Sequence, residues 1–590
     1  MDLPGSLERY FGFSGFRPGQ QEACEAALTG RDVLVVMPTG SGKSLCYQLP
    51  ALMREDLSIV VSPLVALMQD QVQALHARGL DHAVALVNAQ QEGEANAAVL
   101  RRAAAGELRL LYVAPERFSS LGFLQAVKRA RVGLFVVDEA HCVSQWGHDF
   151  RPDYFRLADA ARHIGAQAIV ASTATATPRV ALDVVRRLGL RDPVRVATGF
   201  DQPNISFAVA RPAAHEKRPL IAQTLAGPDA LPAIVYAGTR AGAEEIAEGL
   251  REELGEETLA YHAGLGRQER ADAQRRFLSD EARVIVATNA FGMGIDKPNV
   301  RTVIHASVPA SLEAYYQEAG RGGRDGLPAR ALLLAENRDK ALHVHFIKRD
   351  EVDAGLPAAL AERLVAAADG DGRYGLDARE LTRALGGGAD RLRALLGHLA
   401  RGGVLSPSPS SPDRVAGRLV APFDRRAAAA CRASIEDGAS ARWRQYREIW
   451  AYVEKDACRR RAVLRHFGDH ASPSGRAASL PCCDVCDSGL LPKLPPPAPE
   501  VVADLDDAII SVTRSARPAV GRTTCAEIIH GARTKKIERN SYDGLPAYGT
   551  SARMRRADIL SRVDKLIDEG RIESSGGAYP VLRLPARVAA

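Results

Sequence analysis

The sequence has 590 residues, of which 46% are hydrophobic and 25% charged, as in ordinary globular proteins of several domains rather than disordered chains. Its start lacks a basic segment followed by an apolar run, and no run of about 18 apolar residues occurs, so we expect neither a secretion signal nor a membrane span. The nine cysteines are mostly scattered, which argues against a disulfide framework and favours a cytoplasmic protein.

The net charge of +6 is unevenly distributed along the chain. Lys and Arg outnumber Asp and Glu in residues 425–466 and again in residues 511–590. A basic C-terminal half favours a polyanionic partner. Charge alone is equally compatible with an ordinary solvated surface.

Short β-branched runs alternate with helical patterns between residues 33 and 335. Apolar runs of this kind are typical of parallel strands that are buried on both faces. We predict strands at 33–37, 58–62, 109–113, 133–138 and 168–172, and a second set at 233–237, 283–288, 301–307 and 331–335. The pattern predicts an α/β protein with two tandem parallel-sheet lobes, at residues 1–205 and 206–347.

Ala- and Arg-rich helical patterns follow the second lobe. We predict an inserted unit at 348–425, in which residues 377–405 read as helix, glycine turn, helix and strand. That order fits an additional winged-helix or helix-turn-helix unit. It fits equally well a helical platform that only packs against neighbouring parts of the protein. A proline-rich linker is predicted at 491–500 and a separate basic unit at 501–590.

The first motif with a clear chemistry is "GSGKS", which follows a predicted strand and starts a helix. Gly40 and Gly42 let backbone N–H groups surround a phosphate, and Lys43 would reach the β- and γ-phosphates. The complete P-loop pattern has a glycine where Met37 stands in this chain. We expect the nucleotide phosphates at the loop formed by Thr39, Gly40, Ser41, Gly42, Lys43 and Ser44, with the Ser44 hydroxyl on Mg²⁺.

The second motif, "LFVVDEAH", places two carboxylates at the end of an apolar strand. Asp138 would hold the Mg²⁺ and Glu139 would polarise the attacking water. An acidic pair on the surface is the alternative, but so apolar a strand disfavours it. We group His141, the last residue of the motif, with the catalytic residues. Together the two motifs predict an NTPase.

Four further stretches carry a resemblance to a known family. They are "FGFSGFRPGQ" (11–20), "ASTATA" (171–176), "VIVATNAFGMGIDKPNVR" (284–301) and "YYQEAGRGGRDG" (315–326). With the nucleotide motifs they make the chain resemble RecQ-type DNA helicases of superfamily 2, over residues 1–345 and again from about 440 to 585. The resemblance implies two RecA-like lobes with ATP between them, and adenine recognition by Arg17 and Gln20. It also implies that Arg321 and Arg324 reach across the cleft to the γ-phosphate.

The stretch "CVSQWGHDFRPDY" (142–154) directly follows the catalytic carboxylates. Trp146 and Phe150 provide faces on which unpaired bases can stack, and His148 and Arg151 add polar contacts. The stretch resembles the aromatic-rich loop with which RecQ enzymes sense single-stranded DNA. Core packing of the two rings is the alternative.

Four of the nine cysteines fall within 29 residues: Cys458, Cys482, Cys483 and Cys486. RecQ helicases carry a zinc module with one cysteine on a helix and three clustered downstream, so we predict a structural zinc site at residues 426–490. The family spacing has two residues where Cys482 and Cys483 are adjacent. Side chains of adjacent residues in an extended backbone point apart, so zinc binding by both needs a sharp local turn. Either that turn exists and all four cysteines bind zinc, or one of the pair is idle, and Cys482 is then the more dispensable of the two. His466 or His470 would then fill the fourth position.

Residues 501–590 resemble the winged-helix domain that follows the zinc module in this family. Lys535, Lys536 and Arg539 would face duplex phosphates. The predicted hairpin at the end is short, so strand separation by this hairpin is left open.

The resemblance implies an ATP- and Mg²⁺-dependent DNA helicase that also holds Zn²⁺ and moves 3′ to 5′ in DNA repair, recombination or replication. Its expected partners are single-stranded and forked or structured duplex DNA, with a single-strand-binding protein or other repair proteins suggested by the family. We expect a nucleoid-associated cytoplasmic protein that acts as a monomer. An RNA-unwinding or annealing motor is the alternative, and a DNA-binding scaffold without turnover is a weaker one.

Replacing both rings of the aromatic stretch, Trp146→Ala with Phe150→Ala, should abolish the stimulation of ATPase activity by single-stranded DNA. The rings would supply the stacking that reports bound DNA, whereas the nucleotide site is untouched, so the basal rate should survive. Steady-state ATPase assays with and without oligonucleotide measure both rates. Full stimulation in the double variant would show that the rings only pack.

Overall fold

The computed structural model describes residues 2–88, 91, 93–144, 152–212, 216–292, 297–349, 351–386, 388–408, 413–471, 473, 481–491, 502–552, 554–575 and 580–585. Within them the chain forms two parallel-sheet lobes, an inserted unit, a helical module with a cysteine cluster, and a C-terminal unit. The predicted α/β class with tandem parallel-sheet lobes is confirmed. None of the described helices combines the length and the hydropathy that crossing a bilayer requires.

The first lobe is a seven-stranded parallel sheet with helices on both faces. Its strands are β1 (Val33–Val36), β2 (Leu57–Val61), β3 (Val84–Val87), β4 (Leu110–Val113), β5 (Val132–Val137), β6 (Ala168–Thr173) and β7 (Val194–Ala197). Its helices are α1 (Leu3–Phe11), α2 (Gln20–Leu28), α3 (Leu45–Met53), α4 (Val65–His76), α5 (Gly93–Ala104), α6 (Leu121–Lys128), α7 (Leu157–Ile164) and α8 (Pro178–Leu188).

The strand order of this sheet, β3-β4-β2-β5-β6-β1-β7, decides where its chemistry lies. Strands β5, β6 and β1 are neighbours, and each runs in the same direction. The loops that follow these three strands therefore meet at one edge of the sheet. Ligands of open parallel sheets bind at that edge, beyond the carboxyl ends of the strands.

The second lobe is a six-stranded parallel sheet of order β10-β11-β9-β12-β13-β8. Its strands are β8 (Ile205–Ala210), β9 (Ala233–Tyr236), β10 (Thr258–Tyr261), β11 (Val284–Ala287), β12 (Thr302–His305) and β13 (Ala329–Leu334). Its helices are α9 (Lys217–Leu225), α10 (Arg240–Leu254), α11 (Arg267–Leu278), α12 (Leu312–Ala319) and α13 (Asn337–Arg349). All nine strands expected from the sequence are present, and β3, β7, β8 and β10 were not expected.

The inserted unit has the topology of a winged helix. It runs α14 (Leu356–Ala366), β14 (Arg373–Asp377), α15 (Ala378–Leu385), α16 (Ala389–Arg401), β15 (Leu405–Ser408) and β16 (Arg414–Leu419), with an antiparallel sheet of order β14-β16-β15. Leu392, Leu395 and Leu399 recur at helical spacing on α16 and are buried. Of the two hypotheses for this segment, the structure supports the winged helix. The unit also packs against neighbouring elements, as the other hypothesis expected.

The third helix of the inserted unit, α16, packs against the first lobe and against the helix that follows the unit. It contacts the turn Pro152–Arg156 of the first lobe and the following helix α17 (Arg425–Glu454). His398 of α16 is buried against Ser434 of α17, with a Nδ1–Oγ distance of 2.7 Å. A winged helix that reads DNA inserts this helix into the major groove, whereas much of α16 is buried here against neighbouring elements.

The remaining elements follow the inserted unit. The cysteine module consists of α17, α18 (Arg459–His466) and the loop 481–487, and the C-terminal unit contains α19 (Val502–Ser515), α20 (Arg522–His530), α21 (Lys535–Arg539), α22 (Arg556–Asp568), β17 (Glu573–Ser574) and β18 (Leu582–Arg583). One hydrophobic core runs through both lobes and the cysteine module and includes Phe200, Tyr316, Phe467 and Cys483. The module therefore shares its core with the two lobes and is not an appended unit.

Candidate active site and metal centre

The P-loop turns between β1 and α3 on two glycines in the left-handed region. Gly40 has φ +81° and Gly42 has φ +82°, where a side chain would be strained. A Cβ atom on Gly42 would also lie 2.5 Å from Nε2 of Gln20. Lys43 folds back over the loop, and its Nζ donates to the carbonyl of Pro38 at 3.1 Å. The backbone around the expected phosphate site therefore requires both glycines.

Arg17 and Gln20 lie against the P-loop. Arg17 Nη1 donates to the carbonyl of Gly40 at 2.6 Å, and Gln20 Nε2 donates to the carbonyls of Ser41 and Gly42 at 3.1 Å each. The side-chain oxygen of Gln20 accepts from the backbone N–H of Arg17 at 2.8 Å. These contacts hold the start of α2 on the loop, so both side chains stand at the edge of the nucleotide cleft.

Asp138 and Glu139 follow β5 and lie close to Lys43. Burial lowers the pKa of Lys43, against the attraction of the two carboxylates. Burial and the neighbouring Glu139 raise the pKa of Asp138 to about 7, against the attraction of Lys43. Ionising a buried carboxyl group beside a second carboxylate is costly. A hard divalent cation bound to Asp138 would offset that cost, so this side chain is a suitable ligand for such a cation. The hydroxyl of Tyr47 donates to Asp138 at 3.4 Å.

Glu139 stands in a rarely used backbone conformation. Its φ of 48° and ψ of 47° are left-handed values that non-glycine residues seldom adopt, and such strain is concentrated at functional sites. Its carboxylate lies 3.3 Å from Nδ1 of His141, and the same Nδ1 lies 3.0 Å from the hydroxyl of Thr173 at the end of β6. His141 is fully buried behind the cleft and connects the carboxylate motif to the segment 171–176.

Arg321 and Arg324 follow α12 and come from the second lobe. A Cβ atom on Gly40 would lie 3.4 Å from Cγ of Arg324, so this side chain lies on the P-loop of the first lobe. Arg321 is buried in its own lobe, where its charge acts on the hydroxyl of Tyr236. The two arginines therefore enter the cleft differently, and Arg324 is the one that crosses it.

A cavity of about 880 Å³ lies between the two lobes at this point. Most of the expected nucleotide-site residues line it: Arg17, Gln20, Thr39, Gly40, Gly42, Lys43, Ser44, Asp138, Glu139, Arg321 and Arg324. Ser41 instead donates its hydroxyl to Pro38 at 2.7 Å. The cavity is large enough for a nucleoside triphosphate and has cations on both sides.

Two tyrosines at this site were not expected from the sequence. Tyr47 lies three residues after Ser44 and therefore on the same face of α3. Since Ser44 and Asp138 were both expected at the metal, this spacing could have indicated the contact of Tyr47 with Asp138. Tyr154 is buried, and its hydroxyl donates to the backbone carbonyl of Asp138 at 3.1 Å. No local pattern marks that contact, because it depends on the path of the loop between them.

The aromatic residues proposed to sense DNA, Trp146, His148, Phe150 and Arg151, lie outside the described residues. The flanks of that stretch are held in place. The hydroxyl of Ser144 donates to Asp183 of α8 at 2.8 Å, and Tyr154 holds the other flank to Asp138. The stretch is thus connected at its second end to the backbone of Asp138.

Cys458, Cys482, Cys483 and Cys486 form one cluster, with all four sulfur atoms within 4.8 Å of one another. Cys458 is the N-cap residue of α18, and its sulfur lies 3.7 Å from that of Cys482. Burial and the neighbouring thiols raise the pKa of Cys482 to about 11. Four sulfur donors with no open position are the donor set of a structural zinc site.

The four cysteines predicted as zinc ligands lie together, and of the two alternatives for the adjacent pair the structure shows the turn; the argument that Cys482 points away from the site does not hold. Cys483 pairs with Phe207 of β8 as an isolated bridge, and the chain then turns, with the backbone N–H of Cys486 donating to the carbonyl of Cys483 at 3.1 Å. Because the chain turns at Cys483 instead of continuing extended, the alternation argument does not apply, and both adjacent sulfurs reach the cluster.

The expectation of a histidine ligand is also wrong for His466. Its Nε2 lies 3.0 Å from Glu313 of α12, and its Nδ1 lies 3.8 Å from Glu448 of α17. Among the described residues, the cysteine cluster includes neither His466 nor His470. With four sulfurs present, a fifth ligand has no place in a tetrahedral site.

The basic residues proposed to contact duplex DNA lie on the short helix α21. Lys535 begins that helix, and Lys536 and Arg539 are exposed on it. Nζ of Lys536 donates to the hydroxyl of Thr524 on α20 at 2.8 Å, so part of its donor capacity is used within the unit. Strands β17 and β18 have two residues each, which agrees with a short hairpin.

Four family models match the chain. They are a DEAD/DEAH box helicase domain at residues 17–184, a helicase conserved C-terminal domain at 218–326, a RecQ zinc-binding domain at 427–487 and an RQC domain at 502–590. The matches leave residues 327–426, with the inserted winged helix, between them.

Curated relatives agree with these models. The chain is 35% identical over 485 residues to a probable ATP-dependent DNA helicase RecS of Bacillus subtilis, a match that covers 82% of this chain and 92% of the relative. It is 42% identical over 348 residues to an ATP-dependent DNA helicase RecQ of Pasteurella multocida, covering 58% of this chain but only 54% of that relative. A solved structure of the DUF1998 helicase MrfA bound to DNA and AMPPNP aligns over 72% of this chain and 62% of its own, with 20% identity and a TM-score of 0.50, and shows a similar fold.

Each of the four single Cys→Ser changes at 458, 482, 483 and 486 should remove the zinc, because each takes one of four ligands from a closed tetrahedral site. Cys525→Ser, at a cysteine buried in the C-terminal unit, is the matched control and should keep one zinc per chain. Metal analysis of the purified variants measures the loss. A full zinc content in Cys482→Ser alone would restore the original expectation for that residue.

Proposed function

The chain belongs to the RecQ family of superfamily 2 helicases, and we propose that it is a DNA-stimulated ATPase that unwinds DNA in the 3′ to 5′ direction. The observation that carries the proposal is the interlobe cleft, where Lys43, Asp138 and Glu139 of the first lobe face Arg324 of the second. The chain spans about half the length of the Pasteurella relative, so the activity is inferred from this site and not from that protein as a whole.

In the proposed reaction the P-loop binds the triphosphate and Lys43 neutralises charge on its β- and γ-phosphates. Ser44 and Asp138 would hold Mg²⁺, which supplies charge neutralisation between the phosphates when bound. Glu139 accepts the proton of the attacking water, and His141 keeps that carboxylate in place through their contact of 3.3 Å. Arg17 and Gln20 would recognise the adenine.

Hydrolysis would be coupled to movement because the site is completed only when the lobes close. Arg324 stabilises the charge that develops on the γ-phosphate, as an arginine finger does in related phosphoryl transfer. Closure brings Arg324 to the phosphate, and product release lets the lobes separate. Repetition of this cycle moves single-stranded DNA across the two lobes by steps.

DNA contacts would come from two regions. Stacking on Trp146 and Phe150, helped by His148 and Arg151, would report a bound single strand to the catalytic carboxylates through the anchored flank at Tyr154. In the C-terminal unit, Lys535, Lys536 and Arg539 would contact duplex phosphates.

The proposal extends to the setting of the reaction. A single chain supplies both sides of the nucleotide cleft, which supports action as a monomer. A DNA substrate would place the protein at the nucleoid, in repair, recombination or replication, together with proteins that bind single strands there. Four thiolates would hold a structural zinc in the module behind the second lobe.

The proposal predicts unwinding of a duplex with a 3′ single-stranded tail, and of a fork, but not of a duplex with only a 5′ tail. Gel assays with ATP and Mg²⁺ on the three substrates measure the polarity. Glu139→Gln should retain nucleotide binding without turnover, because only the proton acceptor is lost, whereas Lys43→Ala should weaken nucleotide binding.

Four results would contradict parts of this account. Unwinding from a 5′ tail would reverse the polarity, and normal turnover in Glu139→Gln would remove the assigned base. ATPase activity stimulated by RNA and not by DNA would favour an RNA-unwinding or annealing motor. A complete lack of turnover would leave a DNA-binding scaffold.

A further inference from the structure

Helix α18, which begins after Cys458, touches the segment that connects the two lobes. This segment, residues 198–204, runs from β7 of the first lobe to β8 of the second, and we refer to it as the interlobe connection. Any opening or closing of the cleft must be absorbed in it or around it. The contacts of α18 with this segment are therefore contacts with the hinge of the motor.

Two consecutive residues of the interlobe connection are held from α18 and the turn after it. Arg460 forms a two-pronged ion pair with Asp201, with Nη2 2.7 Å from Oδ2 and Nε donating to Oδ1. The ring of Phe200 is stacked on that of Phe467, with centroids 4.4 Å apart and planes inclined by 9°. The backbone N–H of Phe200 donates to Asp469 at 3.2 Å.

The ion pair is buried, since Arg460 is 3% exposed. A planar guanidinium that binds a carboxylate through two parallel hydrogen bonds permits one orientation of the pair. Sliding the connection along α18 would break this two-pronged pair at an almost fully buried arginine, which is costly. The interlobe connection therefore has a fixed point on α18.

The turn after α18 also reaches both lobes. Gly468 has φ +76° and approaches Pro178, the first residue of α8, so closely that a Cβ atom there would lie 2.5 Å from Cγ of the proline. On the other side, the hydroxyl of Tyr316 on α12 donates to the carbonyl of Phe200 at 2.8 Å, and its ring lies 4.9 Å from that of Phe467. The turn is thus wedged between the lobes.

Helix α12 connects α18 to the nucleotide cleft. His466 at the end of α18 is paired with Glu313 at the start of α12, and α12 ends at Ala319, just before Arg321 and Arg324. Helix α18 contacts both the interlobe connection and the start of α12. A shift of α18 would therefore change the position of Arg324, which follows α12 and reaches the P-loop.

At its other end α18 is held by the cysteine cluster. Cys458 caps the helix, and Arg459 pairs with Asp484 of the cysteine loop at 3.1 Å. That loop extends the edge of the second sheet, because the backbone N–H of Asp484 donates to the carbonyl of Phe207 in β8 at 3.1 Å. The cluster and the hinge are connected by one short helix.

We propose that Arg460 is a positioning residue for ATP turnover, which acts through Asp201 by fixing the interlobe connection on the zinc module. The proposal rests on the helicase function proposed above. It assigns the module a role in the motor step, since the fixed hinge determines whether lobe closure delivers Arg324 to the γ-phosphate. Arg460 touches neither nucleotide nor DNA in this role.

The test uses the full chain with Asp201→Asn as its main variant, because Asp201 belongs neither to the lining of the nucleotide cleft nor to the cysteine cluster, whereas Arg460 also contacts Cys482. We expect kcat of DNA-stimulated hydrolysis to fall at least about tenfold, since misplacement of about 1 Å far from the chemistry can cost about 10²-fold. KM for ATP should stay within about twofold of wild type, and zinc should remain at one per chain. Arg461→Gln, at an exposed arginine of the same helix, is the matched control and should behave as wild type.

Arg460→Gln, and the double variant that combines it with Asp201→Asn, complete a double-mutant cycle. If the two side chains act as one unit, the double variant should be no slower than the slower single variant. Unchanged kcat in Asp201→Asn with normal wild-type turnover overturns this inference alone. A fall in kcat accompanied by loss of zinc or of the folded state overturns it as well, because the pair would then be only structural. Wild-type protein without any turnover overturns the proposed function and this inference together.

Discussion

Two cations from different lobes, Lys43 and Arg324, lie at the same P-loop, and the placement of these charges around the expected phosphate site is the constraint on which the proposed cycle depends. The charge of Arg324 adds to burial in lowering the pKa of Lys43, while Asp138 and Glu139 only partly offset it. Like charges in a low-dielectric cleft stay together when an anion lies between them. In the proposed function a triphosphate would supply that anion, so we expect nucleotide binding to favour closure and loss of phosphate to favour opening.

Such a cycle needs an interlobe connection that keeps its position while the lobes open and close. The continuous hydrophobic core through both lobes and the cysteine module supplies the rigidity, and the ion pair of Arg460 with Asp201 supplies a fixed point within it. The inserted winged helix adds a second brace, because Arg156 of the first lobe donates to the carbonyl of Pro407 in β15 at 2.5 Å. The insertion thus contacts the first lobe, and the cysteine module contacts the interlobe connection.

Local sequence was sufficient for features that depend on neighbouring residues. The apolar runs located nine strands, and the P-loop and carboxylate motifs located the cleft, because glycine spacing and a strand end define those sites by themselves. The half-exposed edge strand β7 was missed, since its run lacks continuous burial. The pairing of Arg460 with Asp201 spans 259 residues and leaves no local trace. Cys482 was misjudged because a rule for extended backbone was applied where the chain turns.

The most direct test of the central claim compares Arg324→Ala with wild type in nucleotide binding and in ATP turnover. Arg275→Ala is a suitable control, because this exposed arginine of the same lobe pairs with Asp272 and Glu281 away from the cleft. If Arg324 acts only when the lobes close on the phosphates, Arg324→Ala should bind ATP almost as wild type does and hydrolyse it about 10³-fold more slowly. Turnover at the wild-type rate in Arg324→Ala would contradict the account.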